Sequence, residues 1–125
     1  MVAVPVLDKD ILAEFADLVG WETMISLCET LDDDFRTRCE SISRAAARGD
    51  FTELGSHAHS LKSATGQFGA RQAQQTAGEI DALCKAGQGD AAGKLVPALL
   101  RQGDAALIKL AEIMATNSIA QQQKA

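Results

Sequence analysis

The sequence predicts an all-α protein, an antiparallel four-helix bundle with a short N-terminal helix capping one end. Apolar residues recur at spacings of three and four along most of the chain, which is typical of amphipathic helices. Alanine and leucine are abundant, proline occurs only twice, and no segment alternates in the manner of a strand. Short breaks, several of them containing glycine, separate the helical patterns, so consecutive helices are expected to pack as antiparallel neighbours.

The first predicted helix is short. Asp8 or Asp10 can cap its N-terminus, and it runs to about Leu18 before Gly20 ends it. A helix of this length is not stable alone, so we expect it to lie across the end of something larger.

A long helix is predicted over residues 21–47, with its apolar residues on one stripe. Asp32, Asp33 and Asp34 lie off that stripe. Three carboxylates suggest a cation site, but successive helix positions point in different directions. The interpretation as a solvent-exposed face is therefore preferred.

The third and fourth helices are predicted over residues 51–68 and 71–85, with Asp50 as the N-cap of the third and Gly69 as the break between them. A turn rich in glycine follows at residues 86–90. These two helices and the long helix before them supply three of the four bundle helices.

The start of the last helix has two alternatives, because Gly93 and Pro97 interrupt its pattern. Either Asp90 caps the helix and Pro97 kinks it, or the helix begins near Val96.

Length and composition limit the possible functions. The 125 residues are expected to form one domain, with a core at about 7–117 and a frayed tail at 118–125. The net charge of −5 does not favour nucleic acid or an anionic membrane as a partner. Three widely spaced cysteines argue against a disulfide framework and favour a reducing compartment. With neither a signal peptide nor a membrane-spanning run, the protein is expected in the cytoplasm.

One histidine of the third helix is a candidate functional residue. On a helical projection the apolar residues form a core stripe, and His59 points away from it toward water. Helix interiors avoid glycine, which costs roughly 1 kcal/mol relative to alanine. The residues around the ring therefore indicate a surface kept clear for another molecule, with a lysine one turn on; they are Gly55, Ser56, Lys62, Ser63 and Gly66.

Metal binding and hydrolytic catalysis are disfavoured. His57 and His59 are the only histidines, and their rings point about 200° apart on a helix, so they cannot share an ion. No acid stands at a fixed spacing beside either ring, and no long loop is available for an oxyanion hole. No Gly-x-x-x-x-Gly-Lys motif occurs, so the chain is not expected to bind ATP or act as a kinase. His57 is interpreted as a histidine at the boundary of the core.

Residues 58–64 (Ala-His-Ser-Leu-Lys-Ser-Ala), followed by 68–70 (Phe-Gly-Ala), resemble the signature of histidine-containing phosphotransfer (HPt) domains. The resemblance covers roughly residues 7–115 and includes the Gly-Asp-aromatic turn at 49–51. Ser63 departs from the pattern, since the family usually has glycine at this position. Serine is small enough to leave the neighbouring ring accessible.

The resemblance implies a phosphorelay intermediate. His59 would accept a phosphoryl group through Nε2 from the aspartyl phosphate of a receiver domain and pass it to another receiver aspartate. Lys62 would screen the phosphate charge. The chain would need no cofactor, because the receiver brings Mg²⁺. Expected partners are response-regulator receiver domains and a sensor histidine kinase, hybrid kinases included, and the chain is expected to be a monomer. The receiver would contact small or polar residues around the ring: Gly55, Ser56, Ser63, Gly66 and Gln67.

Three alternatives stay open. A bundle that binds receivers without being phosphorylated is disfavoured by the intact His59 and Lys62. The dimerising phosphoacceptor part of a sensor kinase is disfavoured because this chain has enough helices to close a bundle alone. A bundle that stores a metal or ligand is disfavoured because the sequence shows no converging set of ligand residues. Since the chain begins with methionine and contains one domain, a free-standing carrier is expected rather than a fragment of a hybrid kinase.

Overall fold

The described part of the chain folds into six α-helices and contains no strand. The structure is a computed structural model that describes the backbone of residues 4–123 and the side chains of residues 4–118. No helix in this part is long and apolar enough to cross a membrane. The all-α prediction is confirmed. The helices are α1 (Lys9–Val19), α2 (Trp21–Arg48), α3 (Phe51–Gln67), α4 (Arg71–Lys85), α5 (Gly89–Lys94) and α6 (Val96–Gln123).

The predicted caps and breaks define the helix ends. Asp8 caps α1 and Asp50 caps α3, and each carboxylate accepts hydrogen bonds from backbone N–H groups of the first turn. Gly49 ends α2 with φ +72°, and Gly69 separates α3 from α4 with φ +84°. These are left-handed conformations that a side chain would strain, so glycine is required at both turns.

Helices α2, α3, α4 and α6 form the bundle. Helix α3 packs against α2 and α4, and α6 completes the ring between α4 and α2. Helix α1 covers the end where α3 turns into α4. The backbone N–H of Asp8 donates to the carbonyl of Gly69 at 2.7 Å, and the rings of Phe15 and Phe68 meet edge to face. The predicted four-helix bundle with an N-terminal cap is confirmed.

The core is apolar and fixes the rotation of α3. Leu54, Ala58 and Leu61 of α3 are fully buried, so the opposite side of this helix faces solvent. Thr65 is also buried, and its hydroxyl donates to the carbonyl of Leu61 at 2.6 Å. Fully buried large side chains come from α1 and all four bundle helices: Leu12, Met24, Ile42, Leu54, Leu61, Ile80, Leu99 and Leu110.

The last helix begins at Val96, as the second alternative predicts. Pro97 lies in its first turn, where a missing N–H breaks no helical hydrogen bond. The six residues of α5 form a separate helix that the sequence did not reveal. Helix α6 continues to Gln123 and so includes residues 118–123 of the tail for which fraying is expected. Residues 124 and 125 of the predicted tail lie outside the described residues.

The acidic triplet of α2 forms ion pairs along the helix surface. Asp32 lies 2.9 Å from Arg36, and Asp34 lies 3.1 Å from Arg38. Asp33 is exposed. In the region that the structure covers, no group of three or more His, Cys, Asp and Glu side chains converges on one point. The triplet is therefore a solvent-exposed face paired with arginines.

Candidate functional site

His59 stands in the middle of α3 with its side chain 64% exposed. The buried stripe of Leu54, Ala58 and Leu61 turns this position outward, toward the groove between α3 and α4. The ring is therefore accessible from solvent, as the helical projection predicts.

One edge of this ring is held by a carboxylate of the neighbouring helix. Nδ1 of His59 lies 3.0 Å from Oδ2 of Asp81 in α4. An ionised carboxylate can only accept hydrogen bonds, so Nδ1 carries the proton and donates it. The second nitrogen, Nε2, then keeps its lone pair on the far edge of the ring. The contact selects one tautomer and leaves Nε2 as the free nucleophilic atom.

Asp81 is almost completely covered, with 9% of its side chain exposed, and it has a second partner. Nζ of Lys85, one turn further along α4, donates to the same oxygen at 3.2 Å. Burial by itself raises the pKa of Asp81, but the hydrogen bonds from His59 and Lys85 outweigh it and hold the pKa below its ordinary value. The carboxylate is consequently ionised at neutral pH and stays an acceptor for the ring.

Sequence reasoning missed Asp81, since it found no acid beside either histidine. The two residues are 22 positions apart and meet only because α3 and α4 pack as antiparallel neighbours. One signal was available: Asp81 falls on the apolar stripe of α4 between Ala77 and Cys84. An acid on a core stripe requires a partner, and a histidine on the adjacent helix is one of few candidates.

Lys62 follows His59 by one turn of α3 and is exposed. Its aliphatic stem lies across Gly78 of α4, with Cδ and Cε 3.5 Å from where a Cβ of Gly78 would stand. The missing side chain at Gly78 therefore provides the groove for this lysine. Lys62 lines a groove that does not include His59, whereas Lys85 lines the same depression as His59.

The small residues predicted around the ring fall into two groups. Ser56 and Ser63 are exposed on α3, as is Gln67, and they leave the ring uncovered. Gly55 is buried, and a Cβ there would stand 3.0 Å from Cβ of Cys84.

Gly66 is likewise in contact with α4, since a Cβ at this position would overlap the side chain of Gln74. The prediction of a surface cleared by two glycines is thus corrected. Gly55 and Gly66 allow α3 and α4 to approach closely, and the serines keep the surface low.

An open depression of about 520 Å³ adjoins the ring between α3 and α4. The residues that line it with His59 include Phe51, Gly55, Cys84 and Lys85. His59 is one of the lining residues, so a molecule that occupies the depression contacts this side chain.

His57 has a different environment on the same helix. Its side chain is 23% exposed, and its Nδ1 accepts a hydrogen bond from Nη1 of Arg38 at 3.2 Å. Its Nε2 lies 3.5 Å from a carboxylate oxygen of Glu53. Both ring nitrogens face partners within the fold, in line with the interpretation as a boundary histidine.

The fold and the site together define a helical-bundle protein with one solvent-facing imidazole, oriented by a buried carboxylate. A family model of the Hpt domain matches residues 26–113, and the chain belongs to this family of histidine phosphotransfer domains. The crystal structure of histidine-containing phosphotransfer protein B (HptB) from Pseudomonas aeruginosa PAO1 is similar in fold. It has a TM-score of 0.84 and 24% sequence identity, over 91% of this chain and 98% of that chain. No curated protein sequence matches this chain significantly.

Proposed function

We propose that this chain is a phosphorelay intermediate in which His59 carries the phosphoryl group on Nε2. It takes the group from the aspartyl phosphate of one receiver domain and passes it to the aspartate of another. Membership of the Hpt family supports the class of reaction. The observation that supports His59 most directly is its hydrogen bond to Asp81, which leaves a lone pair on the solvent-facing nitrogen.

The transfer needs no proton movement within the chain. The lone pair of Nε2 attacks phosphorus, an N–P bond forms, and the bond between phosphorus and the receiver's aspartyl oxygen breaks with its electrons on that oxygen. Nδ1 keeps its proton, so the phosphorylated ring carries a positive charge next to Asp81. In the reverse step the ring leaves phosphorus as neutral imidazole, which is a far better leaving group than imidazolate.

The remaining roles follow from the surface around His59. Lys62, which lies on the next turn of α3, screens the charge of the phosphoryl group. Ser56, Ser63 and Gln67 form the exposed surface that the receiver contacts. The receiver supplies its aspartate and Mg²⁺, and this chain supplies no metal ligand. A sensor histidine kinase feeds the relay, and the chain acts as a monomer in the cytoplasm.

Labelling the chain from a phosphorylated receiver tests the proposal. In the presence of Mg²⁺, the native chain is expected to acquire phosphate from the receiver. This phosphate is expected to be labile to acid and stable to alkali. His59→Gln is expected to lose the label, and His57→Gln, the matched control on the same helix, is expected to keep it. A His59→Gln variant that is labelled at the native level overturns the assignment. Binding of the receiver without label on the native chain would instead indicate an interaction module.

A further inference from the structure

Lys85 forms a contact that the proposed function does not use. Its Nζ lies 3.2 Å from Oδ2 of Asp81, the same oxygen that faces Nδ1 of His59 at 3.0 Å. These two distances place Nζ and Nδ1 no more than about 6 Å apart, with one carboxylate oxygen between them. The Lys85 side chain is 69% exposed, so core packing does not explain its position.

Few charged groups face the ring of His59. Helix α4 contributes Asp81, Lys85 and the thiol of Cys84, whose pKa is raised by burial and by the charge of Asp81. That thiol is therefore neutral near pH 7. Lys62 of α3 lies across Gly78 and lines a separate groove, and the remaining residues that line the depression carry no charge. The negative charge that the ring meets thus comes from Asp81, and the cation bound to that carboxylate is Lys85.

We propose that Lys85 is a positioning residue for phosphoryl transfer, which acts through Asp81 and sets how strongly the phosphorylated ring is stabilised. This inference rests on the proposed function of His59. Formation of the N–P bond makes the ring positive, and Asp81 stabilises that charge. Lys85 offsets part of the stabilisation because it donates to the same oxygen. The equilibrium between phosphorylated His59 and a phosphorylated receiver consequently depends on Lys85.

The two neighbours of the ring are expected to have opposite effects on this equilibrium. Lys85→Met leaves Oδ2 of Asp81 to the ring alone. The ratio of phosphorylated chain to phosphorylated receiver is then expected to increase about threefold, because the charge-assisted hydrogen bond from Nδ1 to this oxygen becomes stronger. Asp81→Asn removes the carboxylate charge and decreases the ratio about tenfold. If Lys85 instead bound the phosphoryl group directly, Lys85→Met would decrease this ratio, because loss of the lysine would destabilise the phosphorylated chain.

The experiment measures this ratio at equilibrium, with a labelled receiver and Mg²⁺ at low ionic strength, where screening is weak. Lys85→Arg keeps a cation that can donate to Asp81, so the native ratio is expected. Lys109→Met removes an exposed lysine of α6 outside the depression and controls for net charge. In an Asp81→Asn background, Lys85→Met is expected to have no further effect. Lys85→Gln repeats the test with a second neutral side chain.

An unchanged or decreased ratio in Lys85→Met and Lys85→Gln, with the label still on His59, overturns the role of Lys85 and leaves the proposed function intact. An effect of Lys85→Met that persists without Asp81 also overturns it. Absence of label from His59 in the native chain overturns the proposed function itself. Since Lys85 is exposed, thermal unfolding of the variants that change Lys85 alone is expected to match the native chain closely.

Discussion

Oδ2 of Asp81 and Nδ1 of His59 lie 3.0 Å apart across two antiparallel helices. The orientation of the ring is therefore set by the register of α3 against α4. The same register places Lys62 across Gly78 and brings Gly55 against Cys84. Helix packing and the chemistry of the exposed nitrogen thus depend on the same contacts.

Lys62→Ala is expected to slow phosphoryl transfer about fivefold, because a charge near the phosphoryl group is worth about 1 kcal/mol in a water-like medium. The side chain is exposed and its stem crosses Gly78, so the free energy of unfolding should change by less than about 0.5 kcal/mol. Rapid-quench transfer rates and denaturant unfolding measure the two effects. Lys94→Ala, an exposed lysine of α5, is the matched control. Equal transfer rates in the native and Lys62→Ala chains would show that the lysine has no role.

His57→Ala is expected to leave the transfer rate within about twofold of native. It should lower the free energy of unfolding by about 1 kcal/mol, because the hydrogen bond from Arg38 is lost. Transfer kinetics together with urea unfolding test both parts. A folded variant that no longer accepts phosphate would show that His57, and not His59, is the functional ring.

Ser63→Trp is expected to reduce transfer more than about tenfold without unfolding the chain, since a bulky side chain one turn from His59 blocks the approach of a partner. Ser43→Trp, at an exposed position of α2, is the control for adding an exposed tryptophan. The comparison requires transfer rates and circular dichroism spectra of both variants. Equal rates would contradict the role of this surface in receiver contact.

Gly103→Ala is expected to destabilise the bundle by about 1–3 kcal/mol, because its Cβ would overlap the ring of Phe35, which is buried between α2 and α6. Gly93→Ala is the matched variant: no atom lies within 4 Å of its Cβ position in α5, and alanine favours helix by up to about 1 kcal/mol. Denaturant unfolding of the two variants should give changes of opposite sign. Similar changes would contradict the close packing of α6 on α2.

Cys28 is expected to make the fold sensitive to alkali. Burial raises the pKa of this thiol from 9.0 to about 11. Between pH 9 and pH 11 the thiol of Cys28 is deprotonated in the unfolded chain and still protonated in the folded chain. The contribution of Cys28 to stability is thus complete below pH 9 and is lost as the pH rises through 11.

Unfolding free energies of the native chain and of Cys28→Ala, measured from pH 8 to pH 11, test this prediction. The native value should fall more steeply, by about 2–3 kcal/mol over the two pH units. Parallel curves would show that the thiol titrates normally in the folded state.

Most of the fold could be predicted from the sequence because burial of a helix face imposes spacings of three and four. The caps at Asp8 and Asp50 and the breaks at Gly49 and Gly69 have local causes, so they were also readable. Helix α5 could not be predicted, since six residues are too few to show a helical spacing of apolar residues.

The site was only partly predictable. The exposure of His59 follows from helix phase alone, but its contact with Asp81 requires the register between two helices, which no local pattern specifies. The burial of Gly55 against Cys84 could not be predicted for a similar reason. A glycine within a helix is compatible either with an open surface or with a close neighbour, and only tertiary packing distinguishes the two.

The two imidazoles of α3 hold their protons on different nitrogens. His59 donates from Nδ1 to Asp81, whereas Nδ1 of His57 accepts from Arg38, so the proton of a neutral His57 ring is on Nε2, near Glu53. The free lone pair on this helix therefore belongs to His59. The fold thus makes two chemically identical side chains differ in reactivity. A small reagent such as phosphoramidate should therefore modify His59 in preference to His57, and this preference should disappear in denaturant.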